Sequence, residues 1–372
     1  MMNFKLMAIG LSLCLLGGGC GTIRQAKPAS SGPTPVTPNA SPEARALLKF
    51  INGISGQHTL TGQHNFPNTK DASTLATARA YGKIPAIFGQ DFGFAKPGDK
   101  DAAAARPAII AEIKRQFARG AIITLCWHAV PPTADEPVTF RPHPDSSSNG
   151  TLASVQGRLT DQQWHDLVTP GTALYQHWCA QADLIAGYLK ELQAAHIPVL
   201  WRPYHEMNGD WFWWGGRPGE NGTKVLYRQL FDRFVHFHHL NNLIWVWSVD
   251  RPARADRQFV DYNPGTNLFD IAALDVYGSD FKQSYYDDLL GQAAGKPVAL
   301  AEVGPPPTTA ILAQQPKWTW WMSWAGDVSW SAAVQALFDD PRSYSLSDPS
   351  FIQAFASTRA AFALPPLKPL AP

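Results

Sequence analysis

Three observations predict an α/β protein of the (β/α)8 TIM-barrel class. Eight short apolar runs recur along the chain, longer amphipathic stretches separate several of them, and polar and aromatic residues gather at the carboxyl side of the runs. The runs are TLTGQHN near Leu60, IPAIFGQDF ending near Asp91, AIITLCWHA ending near His128, IPVLWRPYHE ending at Glu206, LIWVWSVD ending at Asp250, IAALDVYG ending at Gly278, PVALAEVG carrying Glu302, and WTWWMSWAG reaching Trp324. Stretches such as RPAIIAEIKRQFARG and CAQADLIAGYLKELQAAH place apolar residues three and four apart and end on a glycine or a polar stop, the pattern of a helix with one buried face. Strands buried on both faces and separated by helices form a parallel sheet, and eight such units close into a barrel.

The carboxyl ends of the strands carry the site in such barrels, so residues distant in sequence meet at one mouth. His64, Asp91, His128, Glu206, Asp275, Tyr277, Glu302 and Trp324 all lie on that side of their runs. Turn-capping explains a glycine or an aspartate there but not the recurrence of His, Trp and Glu.

The amino-terminal MMNFKLMAIGLSLCLLGGGC has one lysine, an apolar run from Leu6 to Leu16, small residues and then Cys20. Residues 1–20 read as a signal peptide, too short in its apolar part for a stable membrane span. They resemble a bacterial lipoprotein signal, with Cys20 as the lipidated first mature residue, although Gly17 stands where that pattern has a large aliphatic residue. The expected location is the cell surface or periplasm with a membrane anchor, and secretion without an anchor is the alternative. Residues 21–42 are rich in Pro, Ser and Thr and read as a tether without fixed structure. Residues 43–372 are then one catalytic barrel.

Among 372 residues, 31 basic side chains face 30 acidic ones, which leaves no cationic surplus for a nucleic-acid partner. Cys126 and Cys179 remain in the mature domain; they allow a disulfide, but Cys126 on an apolar strand reads as a buried thiol. Neither the cysteines nor the histidines show the spacing of a metal site, and no cofactor is expected. Fourteen tryptophans, many in strand-end or loop positions, suggest sugar stacking, with core packing as the competing explanation.

The stretch WRPYHEMNGDWFWWG, Trp201 to Gly215, concentrates this chemistry. Glu206 follows the fourth run and Glu302 lies in the seventh, which points two carboxylates into one mouth. Such a pair suits glycoside hydrolysis with retention, in which one carboxyl protonates the leaving oxygen and the other attacks the anomeric carbon across about 5–5.5 Å. Arg202, four residues before Glu206, reaches toward the nucleophile, and Trp211 makes the surroundings of Glu206 less polar. Trp211, Trp213, Trp214 and Trp324 are candidate sugar platforms. Strand alternation turns His205 away from the mouth unless the strand end bends. A structural ion pair with Arg202 or Arg251 is the alternative for either glutamate alone.

HEMNGDWFWWG, preceded by RPY, together with ALAEVG, resembles the signatures of glycoside hydrolase family 26, best known for β-mannanases. The resemblance covers nearly all of residues 43 to 365. It implies Glu206 as acid/base, Glu302 as nucleophile, and His128, His205, Trp211, Asp275, Tyr277 and Trp324 as residues that bind sugar or support the carboxylates. Trp164, in the segment RLTDQQWHDLVTPGT, is a further implied subsite residue. The implied function is retaining hydrolysis of β-1,4-mannosidic bonds in mannan or manno-oligosaccharides. Action on β-1,3-xylan or mixed-linkage glucan, or glycan capture without cleavage, stands beside it. The sequence leaves oligomeric state and endo or exo action open.

Overall fold

The computed structural model describes residues 33–96, 100–142, 152–326 and 328–368. The expected signal peptide, Cys20 and the first part of the tether lie outside the described residues. Eight parallel strands form the barrel: β1 (Thr59–His64), β2 (Ile87–Asp91), β3 (Ile122–Trp127), β4 (Val199–Pro203), β5 (Leu243–Asp250), β6 (Ile271–Val276), β7 (Val298–Val303) and β8 (Trp318–Ser323). Neighbours pair in chain order, and β8 closes on β1 with Gly62 opposite Met322. Nearly every strand residue is buried, which is why the runs read as continuously apolar rather than alternating.

The helices form where the sequence provides both a face and ends. Arg106–Arg119 begins with a proline in its first turn and stops at Gly120, whose φ of 109° is the left-handed cap that glycine adopts without strain. Ala173–Ala194 is capped by Thr172, which accepts from the Tyr175 amide. No helix among the described residues is long and apolar enough to cross a membrane.

The tryptophans are mostly architecture. Eleven of the fourteen are buried. Trp201 and Trp245 point outward from the sheet onto Phe234, and Trp321 onto Phe338, so flat rings fill the space between sheet and helices. Cys126 and Cys179 are buried free thiols.

The described end of the expected tether, residues 33–41, differs from the sequence reading. It packs on the amino-terminal end of the barrel, where the Val36 amide donates to Asp270 Oδ1 (2.7 Å), the Thr37 hydroxyl to the Leu243 carbonyl (3.3 Å) and the Ser41 amide to the Asn241 carbonyl (2.7 Å). Burial pushes the Asp270 carboxyl up to about 6, against the Val36 and Trp245 amides that favour its charge.

Barrel closure depends on a close approach. A Cβ on Gly62 would lie 2.8 Å from the Trp321 carbonyl and 2.9 Å from the Met322 Cβ. Gly62→Ala is expected to destabilise the domain by about 1–3 kcal/mol through overpacking, read as a lower chemical-denaturation midpoint; an unchanged midpoint would show that the closure has slack.

Candidate active site

The floor of the site follows from strand register. Asp250 on β5 is level with Asp275 on β6, and Asp275 with Glu302 on β7, after an irregularity between Leu274 and Asp275. Three acids therefore stand side by side in a closed sheet. Arg202 on β4 crosses the barrel to meet them: Nη1 lies 2.9 Å from Asp275 Oδ2, and Nη1 and Nη2 each lie 3.3 Å from Glu302 Oε2. Ser248 donates to Asp275 Oδ1 (3.0 Å) and the Tyr277 hydroxyl to Glu302 Oε1 (3.2 Å). Both oxygens of Glu302 thus accept from donors. Burial opposes the charge on Arg202, but Asp275 and Glu302 outweigh it and hold the guanidinium protonated.

Glu206 reaches the same floor by a different route. The fourth strand stops at Pro203, short of the glutamate where the sequence placed its end, and Tyr204 (φ 47°) and Glu206 (φ 50°) take left-handed backbone conformations. Asn208 fixes this turn to β5: its amide nitrogen donates to the Asp250 carbonyl (2.6 Å) and its oxygen accepts from the Asp250 amide (2.7 Å). One oxygen each from Glu206, Asp275 and Glu302 lie within 4.8 Å of one another. Burial, followed by the negative charges of Glu302, Asp275 and Asp250, pushes the Glu206 carboxyl well above the usual range. Trp211 Nε1 donates to Glu206 Oε2 (2.7 Å), which opposes that shift.

A cleft of about 700 Å³ opens over these groups, its walls including His128, His205, Trp211, Tyr277 and Trp324. Burial alone would raise the Asp91 carboxyl, but His128 more than reverses this and takes it down to about 2. The His128 Nδ1 donates to Asp91 Oδ2 (2.7 Å), which fixes the ring with Nε2 as its remaining polar atom. The bend at Tyr204 and Glu206 brings His205 into the cleft wall, with its ring edge-on to His128 at 4.5 Å. Simple alternation fails here because the strand has already ended. His64, expected at the same mouth, instead lies beneath Trp324, stacked at 3.9 Å, and burial pushes it down to about 3. It supports the platform rather than contacting the cleft.

Trp164 is not part of the site. It is buried, donates to the Asn221 carbonyl (3.0 Å) and carries Arg217 over its ring. Trp213 and Trp214 are likewise buried braces, donating to the carbonyls of Ala129 (2.7 Å) and His205 (2.9 Å). The cleft also uses Phe140, Arg141 and Gln156 from the loop after β3, together with Phe212 and Arg251. Those loop residues have no periodicity that marks them out.

Among the described residues, two groups have metal-ligand types at close range, Glu206–Asp275–Glu302 and Asp91–Cys126–His128. In the first, Arg202 pairs with Asp275 and Glu302; in the second, the Asp91 oxygens accept from His128 and from the Gly93 and Phe94 amides.

Comparison with known proteins agrees with this geometry. Residues 36–346 match Glycosyl hydrolase family 26. A mannan endo-1,4-beta-mannosidase of Thermothelomyces thermophilus is 32% identical over 296 residues, covering 77% of this chain and 56% of its own length. One from Bacillus subtilis is 28% identical over 342 residues, covering 82% and 86%. The chain spans about half the length of several such relatives. Among solved structures, GH26A from a Muricauda species superposes with a TM-score of 0.75 at 38% identity, covering 83% of this chain and 98% of that one. The (β/α)8 fold, the glutamates in the turn after β4 and on β7, and the match over most of the chain lead to one conclusion: the protein belongs to glycosyl hydrolase family 26.

Proposed function

We propose that the protein hydrolyses β-1,4-mannosidic bonds in mannan or manno-oligosaccharides with retained configuration. The observation that carries this reading is the 4.8 Å grouping of carboxylate oxygens that includes Glu206 and Glu302. Retaining glycosidases hold their two carboxyls about 5–5.5 Å apart, whereas inverting ones leave about 6.5–9.5 Å for a water between them. The mannan endo-1,4-beta-mannosidases among its relatives support the choice of substrate. Export with an anchor on Cys20 belongs to the same proposal and is supported by the amino-terminal sequence.

In this mechanism the Glu302 carboxylate attacks the anomeric carbon as the glycosidic bond breaks, while Glu206 gives its proton to the departing oxygen. Glu206 is then a carboxylate. It takes a proton from water, whose oxygen displaces Glu302 from the anomeric carbon and returns the configuration to its starting sense. The environments suit the roles: donors around Glu302 keep a nucleophile charged, and burial among acids keeps a proton on Glu206. When Glu302 becomes an ester it loses its charge, and Arg202 remains paired with Asp275. Trp211 and Trp324 offer faces for pyranose rings.

Glu302→Ala is expected to lower kcat on mannan by at least about 10⁴-fold while calorimetry still detects manno-oligosaccharide binding; hydrolysis at the native rate would refute the assignment. Trp211→Phe removes a hydrogen bond that favours ionised Glu206, so the Glu206 pKa should rise. The alkaline limb of the kcat/KM profile is then expected to move to higher pH, and a shift to lower pH would contradict Glu206 as the proton donor.

A further inference from the structure

Glu206 accepts a hydrogen bond on Oε2 from Trp211 Nε1 (2.7 Å). The strength of that bond depends on where the indole lies, and the indole is only half-buried in the loop after β4. A half-buried ring on a loop keeps one orientation only against a fixed neighbour, because ordering it costs rotamer freedom.

That neighbour is Arg257, in the short turn Ala255–Arg257 after β5. Its guanidinium carbon lies 5.1 Å from the centre of the Trp211 ring, within the range of a cation–π contact. Arg257 Nε is buried and has no hydrogen-bond partner among the described residues, so this part of the cation meets the ring instead of a polar group. Asp210, the residue before Trp211, anchors the far end: Arg257 Nη2 donates to Asp210 Oδ1 (2.5 Å), and Arg254 Nη1 donates to Asp210 Oδ2 (2.9 Å). Gly209 makes room for the indole. A Cβ there would lie 2.4 Å from Trp211 Cζ2.

The same two loops are tied a second time through Asn208. Its Nδ2 donates to the Arg257 carbonyl (3.0 Å) as well as to the Asp250 carbonyl (2.6 Å). The contacts therefore close a circuit, from Glu206 to Trp211, from Trp211 to Arg257, and from Arg257 through Asn208 back to the turn that carries Glu206. A cation over the π face also draws electron density from the indole and makes its N–H a stronger donor. We propose that Arg257 is a positioning residue for the acid/base: it holds the Trp211 indole with its N–H on Glu206 and strengthens that hydrogen bond. The proposal rests on Glu206 being the acid/base, as read above, and adds to it a residue that does not line the cleft.

The test is the pH profile of kcat/KM on mannan for the native enzyme, Arg257→Met, Trp211→Phe and the double variant. The bond from Trp211 favours ionised Glu206, so weakening it raises the Glu206 pKa and carries the alkaline limb to higher pH. Arg257→Met is expected to move the limb up, by no more than Trp211→Phe does, and to move it no further when Trp211→Phe is already present. An unmoved or lowered limb for Arg257→Met overturns the proposal. So does an equal upward shift with and without Trp211, which would mean that the lost cation acts on Glu206 directly through space. Glu302, Asp275 and Asp250, whose charges also act on Glu206, are intact in every variant. The same contact is readable without turnover: the indole N–H resonance of Trp211, identified by its loss in Trp211→Phe, should titrate with Glu206, and Arg257→Met should carry its midpoint to higher pH. A native enzyme that cleaves no mannan would overturn the function proposed above, and the resonance would still decide the role of Arg257, because a midpoint unmoved by Arg257→Met overturns it. If Arg257→Met does not fold, Arg257→Gln repeats both measurements with a side chain that can still meet Asp210.

Discussion

One buried guanidinium organises the catalytic end of this barrel. Arg202 is almost fully withdrawn from water, and a charge so placed must be paired. Asp275 and Glu302 pair it, and through it β4, β6 and β7 share one electrostatic unit. The pairing also sets the chemistry. The guanidinium lies against Glu302, while burial and the neighbouring carboxylates push the Glu206 carboxyl up.

The backbone at the end of β4 holds the other half of that arrangement. Two non-glycine residues with positive φ, Tyr204 and Glu206, cost about 1–3 kcal/mol each. Nearby anchors maintain the turn: Asn208 bonds in both directions to β5, the Tyr204 hydroxyl accepts from Trp178 (2.8 Å), and Trp214 holds the His205 carbonyl. The crowded aromatics of this segment therefore divide into two kinds. Trp213 and Trp214 brace the turn, and Trp211 alone of the three approaches the reacting carboxylate.

Much of this was legible in the sequence. Eight strands were visible because parallel strands buried on both faces leave continuous apolar runs, and the two glutamates were visible because each sits at the end of such a run. The reach of Arg202 to Glu302 was legible from its place on β4. Other features depend on tertiary contacts that no local pattern encodes. Residues 33–41 read as tether because Pro, Ser and Thr give them little to bury, yet Asp270, 234 positions after Val36, docks them. The inward turn of His205 requires the left-handed residues on either side of it. Trp164 fell outside the site because a motif match cannot tell which way a ring points in a loop. The tryptophan count suggested sugar platforms, yet most of the rings are buried, and several lie between the sheet and its helices.

The central claim is that Glu302 becomes covalently attached to sugar during turnover. The most direct measurement is mass spectrometry of the protein after incubation with an activated 2-deoxy-2-fluoro manno-oligosaccharide, followed by peptide mapping. A stoichiometric adduct on the peptide carrying Glu302, absent from the Glu302→Ala protein, is the predicted result. An adduct on another residue, or inverted products released with no adduct formed, would contradict the division of roles between Glu206 and Glu302.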